Sequence, residues 1–565
     1  MVQIVIDNML RVRGAPVPLK AEITKRFTID NPEYKKRKVR KIPCWGIEPK
    51  ITLYRESNGT LILPRGFVDD FFLLLLERNL EYTVSYDCTE GQETEFGRWS
   101  EKFAIRSAQE PCLTSIFASN GCLIAPAGSG KTIMGLRRIY EERVPALWIT
   151  HTLDLLEQTT ARAKECMPDI GKVGRIAEGE VVWGSGKLIV ATYQTLMNND
   201  KVIEHLNQFI GLAVVDECHH VSSECFSEVV SKLTARYRLG LTATPDRKDG
   251  LEAMTYAVIG PKLYEIDRKE LYDGGRLIKP EIRFVYTDFD YDPGSVVSQS
   301  GAVDAGGEEL NYHKLMQELI GDQERLGAIA DNILKQKGFQ LVISDSIPYC
   351  HYLYDKMIQL WGGADSNYAP AGTRFPRVSI VHGTLQRTKW IVARSESDAM
   401  QQIQDRKAIN AKYDPKVKRW KVQVIQYDEE TYKAWNIPTA VRKEIMQAAA
   451  DRKIDILIAT GQLVQEGLDL PHLNHGHLVT PKRGDAHGAN NGISVEQAVG
   501  RLMRPDPLNP NKKAVWWDYV DHKVGVHNSQ YSSRRKVYSR LGLSVPKKPR
   551  GKKEETVDFL SSLKW

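Results

Sequence analysis

One stretch, Ala125-Pro-Ala-Gly-Ser-Gly-Lys-Thr132, constrains this chain more than any other. The apolar run before it, Gly121-Cys-Leu-Ile124, reads as a buried strand, and the spacing of Ile133, Leu136 and Ile139 after it suits a helix. A strand, a glycine turn and a helix start together form a phosphate cradle. Gly128 and Gly130 let the backbone curl so that N–H groups across Ala127, Gly128, Ser129 and Gly130 turn inward, and the helix start adds its positive dipole end. In that geometry Lys131 reaches the β- and γ-phosphates of a nucleotide, and the Thr132 hydroxyl sits on Mg²⁺. The position that opens the usual pattern with glycine holds Ala125.

A second anchor is Leu212-Ala-Val-Val-Asp216-Glu217-Cys218-His219. An apolar strand ending in adjacent carboxylates places them at the carboxyl edge of a sheet, where ligands bind in parallel α/β folds. Asp216 there would hold Mg²⁺, and Glu217 would orient or deprotonate the attacking water. His219 can link this edge to Thr242 and Thr244 in Gly240-Leu-Thr-Ala-Thr-Pro245. Further apolar runs at Ala146–Thr150 and Lys187–Thr192 alternate with helical patterns, which predicts a parallel sheet with helices on both faces. The same alternation recurs later: a helix over 311–335, strands at Gln340–Ser344, Val378–Val381 and Ile454–Thr460, and a helix over 495–503 that presents Gln497, Arg501 and Arg504 on one face.

Ahead of the phosphate turn, Asn58-Gly59 between alternating segments predicts a hairpin, and 67–80 an amphipathic helix. This small α+β module carries Lys35-Lys36-Arg37-Lys38-Val-Arg-Lys41 between Tyr34 and Trp45. Such a run either grips phosphates, with aromatics stacking on bases, or is a solvated charged loop. Residues 288–307 read as a loop. An interruption over 385–439, rich in Lys, Arg and aromatics, is either a strand-separating wedge or a packed decoration. The end of the chain is basic and expected to be flexible.

Taken together, the segments Ala125–Thr132, Asp216–His219, Thr242–Thr244 and Gln497–Arg504 resemble a superfamily 2 helicase, most closely the XPB/UvsW-like group. Asp246-Arg247-Lys248-Asp249 resembles that group's Arg-Glu-Asp segment with Lys248 in place of Glu. Arg106 and Gln109 resemble its Arg-x-Tyr-Gln element with Ala108 in place of Tyr. The resemblance covers about residues 99–525 and reaches into the first module through Leu63-Pro-Arg-Gly-Phe67, which looks like phage members. It implies two RecA-like lobes that close on ATP and Mg²⁺. Arg106, Gln109, Gly467 and Asp469 would bind nucleotide, and Arg501, Arg504 and Gln497 would join Lys131 and Glu217 in catalysis. Thr150, His151, Thr192, Gln194, Arg247 and His382 would face nucleic acid.

The expected plan is α/β: an N-terminal α+β domain over 1–98, a first RecA-like parallel-sheet lobe over 99–270, a second over 271–525 with its insertion, and a basic tail over 526–565. The resemblance implies an ATP-dependent DNA helicase moving 3′→5′ on single-stranded and branched duplex DNA, as a monomer. An RNA helicase and a translocase that does not separate strands are the alternatives. A net charge of +7 permits a polyanionic partner. Eight cysteines without a C-x-x-C pair suit a reducing cytosol, and the likeness to phage members implies a bacterial or phage-infected cytoplasm. The longest apolar run, 71–76, is too short for a membrane span.

Overall fold

The computed structural model describes residues 1–39, 42–105, 109–126, 128–219, 224–243, 252–291, 312–362, 375–383, 427–461, 470–484 and 494–547, and parts of 385–425. The chain divides into two compact units, the first holding Met1–Leu277 and the second Ile278–Val464 with the chain from Leu470 onward.

In the first unit the described residues form an eight-stranded sheet in the order Glu180–Val182, Gly174–Ala177, Leu188–Thr192, Ala146–Thr150, Leu212–Asp216, Tyr237–Thr242, Gly121–Ile124, Lys262–Glu265. Every pairing is parallel except the hairpin at the first edge. Central strands such as Ala146–Thr150 and Leu212–Asp216 are buried at every position, as expected for strands covered on both faces. The helix Lys131–Glu142 buries Met134, Leu136 and Ile139. It lies so close to the sheet that a Cβ on Gly135 would meet Leu241 and Trp148 at 2.8 Å.

The N-terminal module belongs to this same unit. Its five-stranded sheet runs Arg55–Ser57, Thr60–Pro64, Met9–Arg13, Val2–Ile6, Tyr82–Tyr86. Asn58 and Gly59 turn the hairpin with φ of 48° and 72°, the left-handed conformation a two-residue turn needs. Helices Val17–Arg26 and Val68–Glu77 cover one face, and Ala257 from the helix Glu252–Ile259 completes their apolar core. The basic run is helical over Pro32–Val39 rather than a loop. The Asn31 side chain accepts the Glu33 N–H at 3.0 Å and starts it.

The second unit holds a six-stranded, all-parallel sheet in the order Glu281–Thr287, Val515–Asp521, Leu473–Leu478, Phe339–Ser344, Ile456–Thr460, Val378–Val381. Both lobes are therefore RecA-like parallel-sheet domains. Where one helix was expected over 311–335 there are two, Tyr312–Gly321 and Gln323–Lys335. Asp322 breaks the run because its side chain accepts the Arg325 N–H at 2.7 Å and caps a new helix. Between the last two strands the insertion contributes a three-stranded antiparallel sheet, Thr388–Val392, Arg419–Ile425, Asn410–Asp414, and the helix Glu429–Trp435.

The expectation of a flexible tail is corrected up to residue 540. Gly525–Arg540 is a helix that buries Tyr531, Arg534, Val537 and Tyr538. Arg534 is spent on Asp518, which it meets with two hydrogen bonds of 2.8 Å. The basic stretch 547–553 lies outside the described residues apart from Lys547, as do 292–307 of the expected loop.

Candidate nucleotide and nucleic-acid site

Parallel order brings the ends of five strands to one edge of the first sheet, and the expected residues follow those ends. The Ala125 N–H donates to the Thr242 carbonyl at 2.8 Å, tying the phosphate turn to the neighbouring strand. Gly128 and Gly130 have φ of 86° and 90°, the left-handed region that side chains disfavour. Gly130 caps the helix Lys131–Glu142, so the backbone N–H groups of its first turn face the turn's concavity. Gln109 is buried behind it, its Nε2 3.5 Å from the Ser129 carbonyl. A Cβ on Gly130 would come within 3.0 Å of that nitrogen.

Lys131 Nζ donates to Glu217 Oε1 at 2.6 Å. Glu217 stands just past the strand Leu212–Asp216 with φ of 47°, an uncommon conformation for a non-glycine residue, of the kind that collects at functional sites. Its N–H donates to Asp216 Oδ1 at 2.9 Å. Glu217 Oε2 lies 3.4 Å from His219 Nδ1, and that nitrogen is 3.0 Å from Thr242 Oγ1. The chain from Lys131 through Glu217 and His219 to Thr242 thus joins the phosphate turn to the end of the next strand.

The two carboxylates titrate in opposite directions. Burial, then the Glu217 charge, pushes the Asp216 carboxyl up to about 6. Burial also works against the Glu217 charge, but Lys131 beside it and His219 outweigh it and hold Glu217 well below the ordinary carboxylate range. Lys131, likewise opposed by burial, is held above its ordinary value by Glu217 and Asp216. Glu217 is therefore an ionised acceptor, whereas Asp216 is a carboxylate short of positive charge.

The residues present fit a nucleoside triphosphate with Mg²⁺. The turn can accommodate phosphate oxygens against backbone N–H groups, and among the described residues the buried Ser129 hydroxyl has no hydrogen-bond partner. Thr132, second in its helix, and Asp216 supply the hard oxygen donors that Mg²⁺ takes.

Thr150 and Thr192 end parallel neighbouring strands at this same edge. Both are buried: Thr150 Oγ1 donates to the Thr152 carbonyl at 3.1 Å, and Thr192 Oγ1 lies 3.0 Å from Thr195 Oγ1. Exposed Gln194 donates to the His151 carbonyl at 2.9 Å. Burial lowers the His151 pKa, keeping the ring neutral. On the module, Lys35 meets Asp30 at 2.7 Å and Arg37 meets Glu33 at 2.9 Å. Lys38 is exposed, and Trp45 beyond the helix is 91% exposed.

Residues 101–247 match the family described as Type III restriction enzyme, res subunit. The XPB helicase/translocase subunit of the general transcription and DNA repair factor IIH from Encephalitozoon cuniculi is 32% identical over 193 residues, 31% of this chain and 28% of that protein. The DNA 3′-5′ translocase XPB2 of Sulfurisphaera tokodaii is 29% identical over 187 residues, 33% of this chain and 41% of that protein. In sequence the matched residues are similar to superfamily 2 helicases of the XPB type. A solved structure, that of UvsW from phage T4, aligns over 96% of this chain and 97% of that one at 14% identity and a TM-score of 0.36. The chain spans between 28% and 41% of the length of these two curated relatives.

In the second unit the helix Val495–Leu502 starts at Ser494. Ser494 Oγ accepts the Gln497 N–H at 3.1 Å, and Gln497 Oε1 accepts the Ser494 N–H at 3.4 Å. Gln497 is thus engaged as half of a capping box. Arg501 lies in the last turn and Arg504 just past it, both half-buried. Sequence reasoning missed Lys512, whose buried Nζ donates to the carbonyls of Arg504 at 2.6 Å, Pro471 at 2.7 Å and Leu502 at 3.1 Å. It pins the backbone that carries Arg504. A lone lysine in a loop gives no signal of that role. Burial pushes its pKa down to about 8.

His382 is fully buried, its Nδ1 2.8 Å from the Gly383 carbonyl and its Nε2 3.4 Å from His351 Nε2. The ring is packed inside rather than presented to a strand. His351 stacks on Trp435 at 4.4 Å, which anchors the insertion's helix to the lobe. Arg106, Ala127, Thr244, Arg247, Gly467 and Asp469 lie outside the described residues, as does the Lys36 side chain.

Proposed function

We propose that this protein is an ATP-dependent DNA helicase, translocating 3′→5′ and acting on forked or branched DNA in recombination, repair or replication restart. The observation that carries the reading is the Lys131–Glu217 pair, held at the carboxyl edge of a parallel sheet behind a two-glycine turn. The names of its XPB-type relatives support DNA as the track and 3′-5′ as the direction.

In this reading Lys131 leaves Glu217 for the β- and γ-phosphates when ATP enters the turn. Glu217, freed of its lysine, accepts the proton of the attacking water. Thr132 and Asp216 would hold Mg²⁺, which supplies positive charge to the phosphate oxygens. Gln109, buried beside the turn, is suited by its mixed donor and acceptor amide to the adenine edge. Arg501 and Arg504 act on charge that develops during phosphoryl transfer, since a guanidinium fork matches phosphate oxygens. His219, bonded to Thr242, passes the state of Glu217 to the next strand end. On this scheme DNA is gripped through its backbone and read without sequence preference.

Some relatives are named translocases, which favours a second reading, movement along duplex DNA without strand separation. ATP turnover and strand separation measured on single strands, duplexes, forks, four-way junctions and RNA test both. DNA-stimulated turnover with fork or junction unwinding is expected. Turnover without unwinding selects the translocase, and stimulation by RNA alone overturns the DNA assignment.

A further inference from the structure

Strands Gly121–Ile124 and Tyr237–Thr242 end at the phosphate turn and the Glu217–His219 link, so their beginnings lie at the opposite edge of the sheet. There a cavity of about 230 Å³ opens between the motor and the N-terminal module. Arg65 enters it from the module, and Arg138, Arg236 and Arg238 from the motor. Arg65 is 7% exposed, and Arg138 and Arg238 are 2% exposed. Burying a guanidinium costs several kcal/mol unless an opposite charge offsets it.

Two of the four have that offset: Arg138 pairs with Glu142 at 2.7 Å and Arg236 with Glu90 at 3.1 Å. Among the described residues Arg65 and Arg238 have no carboxylate at ion-pair distance. Arg65 donates to the carbonyls of Ala235 and Arg236. Arg238 donates to those of Val258, Leu233 and Asn8. Leu233 and Val258 stand at helix ends, whose dipoles offset part of the charge. A guanidinium has five N–H groups, so donors remain on both, and among the described residues the buried Nε atoms of Arg138 and Arg238 have no partner. The one carboxylate in the lining, Asp69, is itself shifted upward by burial and by Asp70.

The walls of the cavity are fixed to each other. A Cβ on Gly66 would strike the carbonyls of Tyr256 and Ala257, so only glycine lets Leu63-Pro-Arg-Gly-Phe67 seat Arg65 against the motor. We propose that this cavity is a second oxyanion site, taking a phosphate group on the side of the lobe away from the nucleotide turn. Converging guanidinium forks match the oxygens of a phosphate, free or within a nucleic-acid backbone.

The test removes the first phosphate site and titrates the second. Thermal unfolding of full-length Lys131→Ala protein is followed against inorganic phosphate, with chloride at equal ionic strength as the reference. A saturable stabilisation specific to phosphate is expected. Arg236→Gln, at the cavity rim, should weaken phosphate binding by about tenfold, the worth of one charge-assisted hydrogen bond. Asp69→Asn, which removes the opposing charge, should tighten it. Competition by a short single-stranded oligonucleotide identifies a backbone phosphate as the occupant, and competition by pyrophosphate without competition by the oligonucleotide a free one. Loss of all phosphate stabilisation in Lys131→Ala, or equal affinity in both cavity variants and the parent, overturns the site.

Discussion

The two lobes share a parallel-sheet plan and both bury charge, but they finish the job differently. In the second lobe Arg325 and Asp521 are fully buried and 2.6 Å apart. Asp521 also accepts from Thr287 at 2.6 Å, and Arg325 donates to the Tyr349 hydroxyl at 2.7 Å and the Val479 carbonyl at 2.9 Å. Close by, Asp518 takes two bonds from Arg534 and a third from the Tyr538 hydroxyl at 2.7 Å. In the first lobe, among the described residues, Asp216 has no ion pair of its own, Lys131 donates to Glu217, and Glu217 sits in a strained backbone conformation. A closed network of polar groups stabilises one structure. A network with unfilled valences is waiting for a ligand, and that contrast separates framework from site.

The largest effect that would sharpen the contrast is Arg504→Ala, because Arg504 is, with Arg501, one of the second lobe's two charges with a proposed part in the chemistry. Turnover should fall by about 10³-fold or more, with nucleotide affinity and thermal midpoint nearly unchanged. Arg504→Lys should recover little, since an ammonium lacks the planar fork. Steady-state hydrolysis and nucleotide titration on the same preparations check this, and unchanged turnover would move Arg504 to the framework side.

Asp521→Asn should do the reverse. Leaving Arg325 buried without its partner costs about 3–5 kcal/mol, seen as an earlier urea midpoint for the second lobe, while turnover per folded molecule persists. Acid gives the same test without a mutation. Burial opposes the Asp521 charge, but Arg325 overcomes it and holds the carboxyl far below the usual range. Its contribution is therefore complete above the ordinary carboxyl value and is lost as pH falls through the depressed one. The Asn variant should lack that part of the acid sensitivity, and an equally acid-sensitive variant would break the comparison.

Smaller again is the expected effect of replacing Lys35, Lys36, Arg37 and Lys38 with Ala. The pairs Lys35–Asp30 and Arg37–Glu33 are exposed, worth 0–1 kcal/mol or so each, and readily exchanged for phosphates. Duplex binding should weaken, with the log–log salt slope falling by ~0.9 for each lost contact. Turnover saturated with single-stranded DNA should hold. An unaltered slope would leave this helix as a solvated face.

Much of the first lobe was legible because its chemistry lies in contiguous residues at strand ends. Lys131, Asp216 and Glu217 could be placed at one edge from strand-turn-helix punctuation, even with Ala125 where glycine is usual. What escaped depends on neighbours far along the chain. Nothing near Arg534 announces that Asp518 will bury it, so a helix read as a loose basic tail. The resemblance implied a catalytic part for Gln497, and Ser494 three positions earlier also engages it as half of a capping box, a local signal that was there to read. His382 follows an apolar strand like a loop residue, but it is fully buried beside His351, on which the insertion's Trp435 stacks. Asp322 could have been seen as a cap within the 311–335 run, since helical periodicity carries on across such a break.

Glu217→Gln tests the central claim, that the open network of the first lobe drives an ATP-powered motor. Single-turnover hydrolysis, with DNA saturating and nucleotide affinity measured on the same protein, reads it directly. The amide keeps the shape but cannot take the proton of water, so hydrolysis should fall by about 10²–10⁴-fold while ATP and DNA still bind. Hydrolysis within a few-fold of the parent, with binding intact, would contradict the role assigned to Glu217 and with it the reading of the site.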